Sequence, residues 1–155
     1  MSLESVRDFF ARYAPDIDVL VTEASSATVN DAAAAHQARP EQIAKTLGVW
    51  LKNEVVLIVM SGTARLDNRK FKDRFSEKPR MVDAAEISLR TSHPVGGVCP
   101  FGLPEPLKIY ADESLKSFDL VIPAAGATNA AVKIAPERLV SLVNAEWIDL
   151  AKQEA

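Results

Sequence analysis

The amino-acid sequence predicts one α/β domain in which short helices alternate with strands. Apolar residues recur every three or four positions in some segments and at every second position in others, the spacings of buried helix and strand faces. A chain of 155 residues also has the length of one domain with a core of its own. Residues 1–155 are therefore expected to fold as a single unit.

The helices are predicted from apolar spacing together with residues that cap helix ends. Thr28, Asp67 and Asp83 each stand at the start of such a segment, where a side-chain oxygen can accept from free backbone amides. The expected helices cover residues 3–14, 28–36, 67–75, 83–90 and 136–144, and Pro40 opens one further helical turn.

The strands are predicted from period-two alternation and from β-branched residues. They cover residues 17–23, 43–51, 55–60, 107–110, 118–123 and 130–134, with a terminal strand or turn at 147–150. Because only three residues separate 43–51 from 55–60, these two strands are expected to form a hairpin.

Between Thr91 and Pro106 the sequence predicts one long loop, since glycine and proline interrupt every regular pattern there. Its apolar residues argue against disorder, and ordered loops of this length in compact domains are usually functional. The run Gly96–Gly102 can bring backbone amides close to a ligand, where they would stabilise a developing oxyanion.

Composition excludes several classes of protein. The chain is 48% hydrophobic and 25% charged, it has no apolar window of about 18 residues, and its N-terminal segment carries charges that a secretory signal lacks. We therefore expect a cytoplasmic protein without a membrane partner. With Cys99 as the only cysteine and two histidines, His36 and His93, no disulfide and no metal site is expected.

Charge is concentrated in one segment of this acidic chain. Residues 65–80 contain seven basic and three acidic residues, whereas the net charge of the whole chain is −3. Such a cluster is either a solvated helix face or a limited contact surface for phosphates. The candidate phosphate contacts are Arg69, Lys70, Lys72 and Arg74.

Lys45 is the strongest candidate for a functional side chain. In the predicted strand it shares a face with Ile43 and Leu47, an unusual position for a charge. A partly buried ammonium is costly unless it is paired or used, which favours a role in holding a phosphate or carbonyl. The alternative is a lysine whose charged end reaches solvent at the strand end.

Four motifs together resemble the YbaK/ProX aminoacyl-tRNA deacylase family, which is similar to the editing domain of bacterial prolyl-tRNA synthetase. They are Ala44-Lys45-Thr46-Leu47, Leu66-Asp67-Asn68-Arg69-Lys70-Phe71, Gly96-Gly97-Val98-Cys99-Pro100-Phe101-Gly102 and Asp112-Glu113-Ser114-Leu115. The resemblance covers residues 17–143. It implies an α+β fold with a mixed, partly barrel-like β-sheet flanked by short helices.

The resemblance also implies an activity and a site. The expected reaction is hydrolysis of mischarged aminoacyl-tRNA, chiefly tRNA for proline carrying alanine, serine, cysteine or threonine, without a cofactor. Lys45 would orient the substrate, and the loop defined by Gly96, Gly97 and Pro100 would present its amides to the ester carbonyl. The expected substrate contacts are Met60, Ser61, Gly62, Val98, Cys99 and Thr128.

Two other functions remain open at this point. A module that binds tRNA or an aminoacyl-tRNA synthetase would use the same pocket without turnover. A synthetase is a candidate partner both of such a module and of the deacylase. A thiol hydrolase would use Cys99 as its nucleophile and would be inactivated by alkylation. DNA is not an expected partner.

Overall fold

A computed structural model describes residues 2–153 of the chain. Within this range five α-helices lie close to their predicted positions. They are α1 (Ser2–Tyr13), α2 (Val29–Ala35), α3 (Asn68–Phe75), α4 (Ala84–Thr91) and α5 (Pro136–Val143). The predicted caps Thr28, Asp67 and Asp83 are confirmed, since each accepts from first-turn backbone amides at 2.8–3.0 Å.

Eight strands form the described sheets. They are β1 (Leu20–Val21), β2 (Ile43–Leu51), β3 (Glu54–Ser61), β4 (Arg80–Met81), β5 (Lys108–Asp112), β6 (Ile122–Pro123), β7 (Ala130–Ala131) and β8 (Glu146–Ile148). Short 3₁₀ helices lie at Pro40–Gln42 and Glu113–Ser117. β1 and β7 form a separate two-stranded sheet, and the other six described strands form the main sheet.

The predicted hairpin of β2 and β3 is confirmed and forms the centre of the main sheet. Lys52 and Asn53 connect the strands with φ angles of 50° and 67°, the left-handed conformation that suits a two-residue hairpin turn. The antiparallel register places Lys45 opposite Met60.

The main sheet is mixed, as expected, but it does not close into a barrel. Its order is β4-β2-β3-β5-β8, and β6 lies beside β2 off this path. β2 pairs antiparallel with β3 and β4 and parallel with β6, whereas β5 pairs parallel with β3 and β8. The strands predicted at 17–23, 118–123 and 130–134 are reduced to two residues each, and β4 was not predicted. The length of a strand depends on pairing partners that are distant in the chain. The local alternation of apolar and polar residues therefore predicted these three strands to be too long.

Helices cover both faces of this sheet. The larger core lies against α1 and α5 and includes Phe10, Phe101 and Leu139, whereas Phe71 and Phe75 of α3 pack on the other face against Ile58. Successive residues of a strand point to opposite faces, so β2 contributes to both cores.

The outer edge of β2, on the side away from β3, is occupied by two different strands. β6 pairs with Ile43 and Ala44, and β4 pairs with Val49 and Trp50. Between them, no described strand pairs with residues 45–48 on this edge, although the Gly48 carbonyl accepts from the Val82 amide at 3.0 Å. The sheet therefore has a gap beside Lys45.

Candidate active site

A cavity of about 340 Å³ lies at this gap. Its walls come from the start of α2, the segment from β4 into α4, the loop after α4 and the residues around β6, while β2 supplies the floor. The lining is mostly apolar. Of the described lining residues, Lys45 alone carries a charge.

Lys45 is half-buried, and backbone carbonyls hold its ammonium group. Nζ donates to the carbonyl oxygens of Gly62 at 3.2 Å and Ala64 at 2.6 Å. No described carboxylate forms an ion pair with it. Burial lowers the pKa of Lys45, and the nearby Arg65 lowers it further. Since an ammonium has three N–H donors, one remains for a ligand.

The loop after α4 reaches the cavity through Gly96 and Val98. Gly96 has a φ of +87°, and a Cβ atom there would lie 2.7 Å from the Cβ of Ala27. A side chain at Gly97 would lie 2.7 Å from the Ala127 amide nitrogen. Both positions therefore need glycine, one for its backbone conformation and both for close approach.

Hydrogen bonds of Gly97 fix the loop and limit which amides can face a substrate. Its amide donates to the Pro94 carbonyl at 2.8 Å, and its carbonyl accepts from the Gly126 amide at 3.0 Å. The Gly97 amide is thus engaged, whereas the Val98 amide makes no hydrogen bond within the described chain. Val98 is the better candidate donor to an ester carbonyl.

Cys99 and Pro100 belong to the same loop but do not line the cavity. Cys99 is fully buried, and burial raises the pKa of its thiol to about 12. A protonated, inaccessible thiol is not a nucleophile at neutral pH. Pro100 borders a different depression, beside Phe9 and Tyr13.

His93 supports the loop from the interior. Its Nε2 lies 2.7 Å from the Phe101 carbonyl, and its Nδ1 lies 2.5 Å from the Ser2 hydroxyl. The Phe101 carbonyl can only accept, so Nε2 is the donor of that hydrogen bond. Burial lowers the pKa of His93.

The other expected substrate contacts lie outside the cavity. Met60 is fully buried, Ser61 donates its hydroxyl to the Glu41 carbonyl at 2.6 Å, and Gly62 supplies a carbonyl to Lys45. These three belong to β3 or follow it, on the inner side of β2, whereas the cavity lies at the outer edge. Thr128 is exposed and also absent from the lining.

The four expected tRNA contacts lie on α3, which contributes no residue to the cavity. Lys70 pairs with Asp149 at 2.9 Å, and Arg74 pairs with Glu146 at 2.8 Å. Arg69 and Lys72 are exposed and form no ion pair within residues 2–153. Half of the predicted cluster is therefore already neutralised by carboxylates.

Several lining residues were missed by sequence reasoning. Met81 and Val95 border the cavity and are 55% and 63% exposed. Thr46 also lines it, and its buried hydroxyl oxygen has no hydrogen-bond partner within the described chain. Single apolar or hydroxyl residues carry no distinctive pattern in a sequence, although Thr46 does belong to the Lys45 motif.

Residues 2–153 contain no group of three or more histidine, cysteine, aspartate or glutamate side chains arranged to hold a metal. None of the described helices has the length and apolar character needed to cross a membrane.

The fold and the cavity define an α+β protein with a single cationic side chain in an apolar site at a sheet edge. The model of the aminoacyl-tRNA editing domain family matches residues 23–142, and the chain belongs to this family. It is therefore an enzyme of the aminoacyl-tRNA deacylase class.

The chain is also similar to two relatives and one solved structure. YwhH of Bacillus subtilis (strain 168) is 41% identical over 98% of both chains. The Enterococcus faecalis (strain ATCC 700802 / V583) protein named "Putative Cys-tRNA(Pro)/Cys-tRNA(Cys) deacylase EbsC" is 28% identical over 73% of this chain and 70% of its own. A crystal structure of "a putative trans-editing enzyme for prolyl tRNA synthetase" superposes with a TM-score of 0.89, at 29% identity and 98% coverage of both chains.

Proposed function

We propose that this protein hydrolyses the ester bond of mischarged tRNA for proline that carries a small wrong amino acid, acting as a free-standing editing enzyme. The observation that carries the proposal is the half-buried Lys45, which has no described carboxylate partner and lines an apolar cavity beside the glycine loop. Such a cation suits an anionic or carbonyl-bearing ligand. The similarity to a putative Cys-tRNA(Pro)/Cys-tRNA(Cys) deacylase and to a putative trans-editing enzyme for prolyl tRNA synthetase supports tRNA for proline.

The lining residues narrow the mechanism. No histidine, cysteine or carboxylate is among the described residues that line the cavity, so Lys45 is the one titratable side chain among them. An aminoacyl ester is already activated, and positioning together with oxyanion stabilisation supplies much of the rate. Water then attacks the carbonyl carbon, the ribose oxygen leaves and takes up a proton, and the products are free amino acid and tRNA.

Lys45 and Val98 have complementary parts in this step. The remaining N–H of Lys45 would bind the substrate's phosphate or carbonyl oxygen, while the Val98 amide would donate to the oxyanion. A cation fixed by the Gly62 and Ala64 carbonyls requires little reorganisation when charge develops.

The cavity favours small amino acids. Its volume of about 340 Å³ must hold part of the ribose as well as the side chain. Alanine, serine, cysteine and threonine remain candidates, because one methylene changes binding by only about 1–3 kcal/mol.

The deciding experiment is hydrolysis of a panel of tRNA for proline charged with alanine, serine, cysteine, threonine or proline. We expect wild type to release at least one small amino acid and to spare proline. Lys45→Ala should lower kcat/KM by about 100-fold or more, the size typical of losing one stabilising group. Lys116→Ala, which removes an exposed lysine paired with Glu113, is the matched control and should stay active.

Failure of wild type to release any amino acid, with retained tRNA binding, would indicate a binding module. Full activity of a folded Lys45→Ala variant would remove Lys45 from the mechanism. Repeating the panel with prolyl-tRNA synthetase present tests whether that enzyme is a partner, in which case turnover should rise.

A further inference from the structure

The first turn of α1 packs beside the glycine loop through the side chain of Ser2. The Ser2 hydroxyl donates to the carbonyl of Gly126, and its oxygen lies 2.5 Å from Nδ1 of His93. These two partners are 124 and 91 residues away in the chain. Ser2, His93 and Gly126 are not among the described residues that line the cavity. The reaction proposed above therefore gives the Ser2 hydroxyl no part.

The close approach of α1 depends on glycine at position 126. Gly126 has a φ of +88°, a conformation that side chains rarely adopt, and a Cβ atom there would lie 2.7 Å from the Ser2 carbonyl oxygen. Ser5, three residues further along α1, donates its hydroxyl to the Ser2 carbonyl at 2.8 Å. Of these two serines, Ser2 is therefore the one whose hydroxyl joins α1 to Gly126.

Gly126 in turn holds one peptide group of the loop. Its amide donates to the Gly97 carbonyl at 3.0 Å. The Gly97 carbonyl and the Val98 amide belong to the same planar trans peptide, so the C=O and N–H bonds point in opposite directions. Val98 lines the cavity, whereas Gly126 does not. A bond that holds the Gly97 carbonyl toward Gly126 therefore directs the Val98 N–H away from Gly126.

His93 connects Ser2 to both ends of the loop. It is fully buried and precedes the loop, and its Nε2 donates to the carbonyl of Phe101 at 2.7 Å. Ser2 therefore contacts the residue that joins the two ends of the loop as well as the residue that holds its central peptide.

We propose that Ser2 is a positioning residue whose hydroxyl, through Gly126, holds the Val98 amide in the direction needed to bind the oxyanion. This inference rests on the proposed function and extends the catalytic machinery to the start of α1. A hydrogen-bond donor stabilises an oxyanion best when its direction is fixed before the charge develops. An interaction of this kind acts in the transition state, so its loss lowers the rate of the chemical step and leaves substrate binding unchanged.

Single-turnover kinetics with two variants of α1 test this role. Ser2→Ala should lower the rate constant at saturating enzyme by about 10-fold and leave KM for the aminoacyl-tRNA unchanged. Ser5→Ala is the matched control, because it removes a hydroxyl from the same end of α1 and leaves the bond from Ser2 to Gly126 in place. A wild-type rate for Ser2→Ala, an effect on KM alone, or an equal loss in Ser5→Ala would overturn the proposal.

Amide NMR spectra test the same connection without turnover. The Ala127 amide shares a peptide group with the Gly126 carbonyl, so its resonance reports on the bond from Ser2. The Val98 amide resonance reports on the orientation of the loop. Ser2→Ala should shift both resonances in ¹H–¹⁵N spectra, whereas Ser5→Ala should leave both near their wild-type positions. A shift of the Ala127 resonance alone would show that Ser2 does not orient the Val98 amide.

The two proposals can fail separately. If wild type hydrolyses no aminoacyl-tRNA, the deacylase function fails, while the NMR spectra still decide whether Ser2 orients the Val98 amide. If wild type hydrolyses aminoacyl-tRNA and Ser2→Ala does so at the same rate, only the role of Ser2 is rejected.

Discussion

The cavity at the edge of β2 and the outer surface of α3 both carry positive charge, but they differ in how that charge is satisfied. Lys45 is half-buried and hydrogen-bonded to carbonyls, without a carboxylate. On α3, Lys70 and Arg74 form exposed ion pairs. The number of basic residues in a segment therefore says less about a binding site than whether each residue already has a carboxylate partner. A single lysine without such a partner can contribute more to binding an anion than several basic residues that form ion pairs.

After the loss of Lys45 itself, the largest effect is expected from the loop that lines the cavity with it. Gly96→Ala should lower kcat by about 100-fold, because a Cβ forced against Ala27 displaces the loop by a fraction of an ångström or more. Gly102→Ala is the control: Gly102 also has a positive φ, of +63°, and contacts Ser5 of α1 instead of the cavity. Both variants should melt earlier, but only Gly96→Ala should lose turnover at a temperature where both are folded.

A smaller effect is expected on α3. Replacing Arg69 and Lys72 with glutamine should raise KM for tRNA by about 3- to 10-fold at low salt and reduce the salt slope by about two. The same replacement of Lys70 and Arg74 should change KM little, since their charges are already paired. If the two double variants behave alike, or if wild-type binding is insensitive to salt, α3 does not contact phosphates.

The buried His93, which supports the loop, should make the stability of the folded protein depend on pH. Burial lowers the pKa of His93 in the folded state below the ordinary value of 6.5. The unfolded chain thus binds a proton first, so this stabilisation is complete above pH 6.5 and is lost as pH falls toward the folded pKa. The Tm should therefore drop more between pH 7.5 and 5.5 for wild type than for His93→Gln.

Parallel Tm curves for the two proteins would show that His93 does not titrate in this range. Part of the acid sensitivity should persist in the variant, because burial and Lys133 lower the pKa of His36 as well.

The smallest effect on catalysis is expected at Cys99. Cys99→Ala should leave kcat/KM unchanged within about twofold and cost about 1 kcal/mol of stability through lost packing. Iodoacetamide should not inactivate the native enzyme, since the thiol is fully buried with a pKa of about 12. Rapid inactivation that Cys99→Ala abolishes would support the thiol hydrolase instead.

Local features were predictable from the sequence, and features that depend on distant partners were not. The caps at Thr28, Asp67 and Asp83 and the β2–β3 hairpin involve residues close in the chain, so turn and capping chemistry identified them. β4 consists of two exposed residues, and its pairing with Val49 and Trp50 depends on the path of the chain after α3. No local pattern encodes that path.

The candidate site shows the same division. Sequence reasoning selected Lys45, Gly96 and Val98, which line the cavity. It also selected Met60, which the hairpin register places opposite Lys45 on the neighbouring strand and away from the outer edge. Met81 and Val95 become significant only when the gap in the sheet brings β4 and the loop to one cavity.

The gap along β2 has a consequence for how this enzyme can change. The side chains around it belong to several elements, while β3 fixes the register of β2 along nearly its whole length. Exchanges such as Val98 for alanine or Ile122 for valine would reshape the cavity without altering any strand pairing. New amino-acid preferences can therefore arise here by single substitutions, with the sheet left as a constant frame.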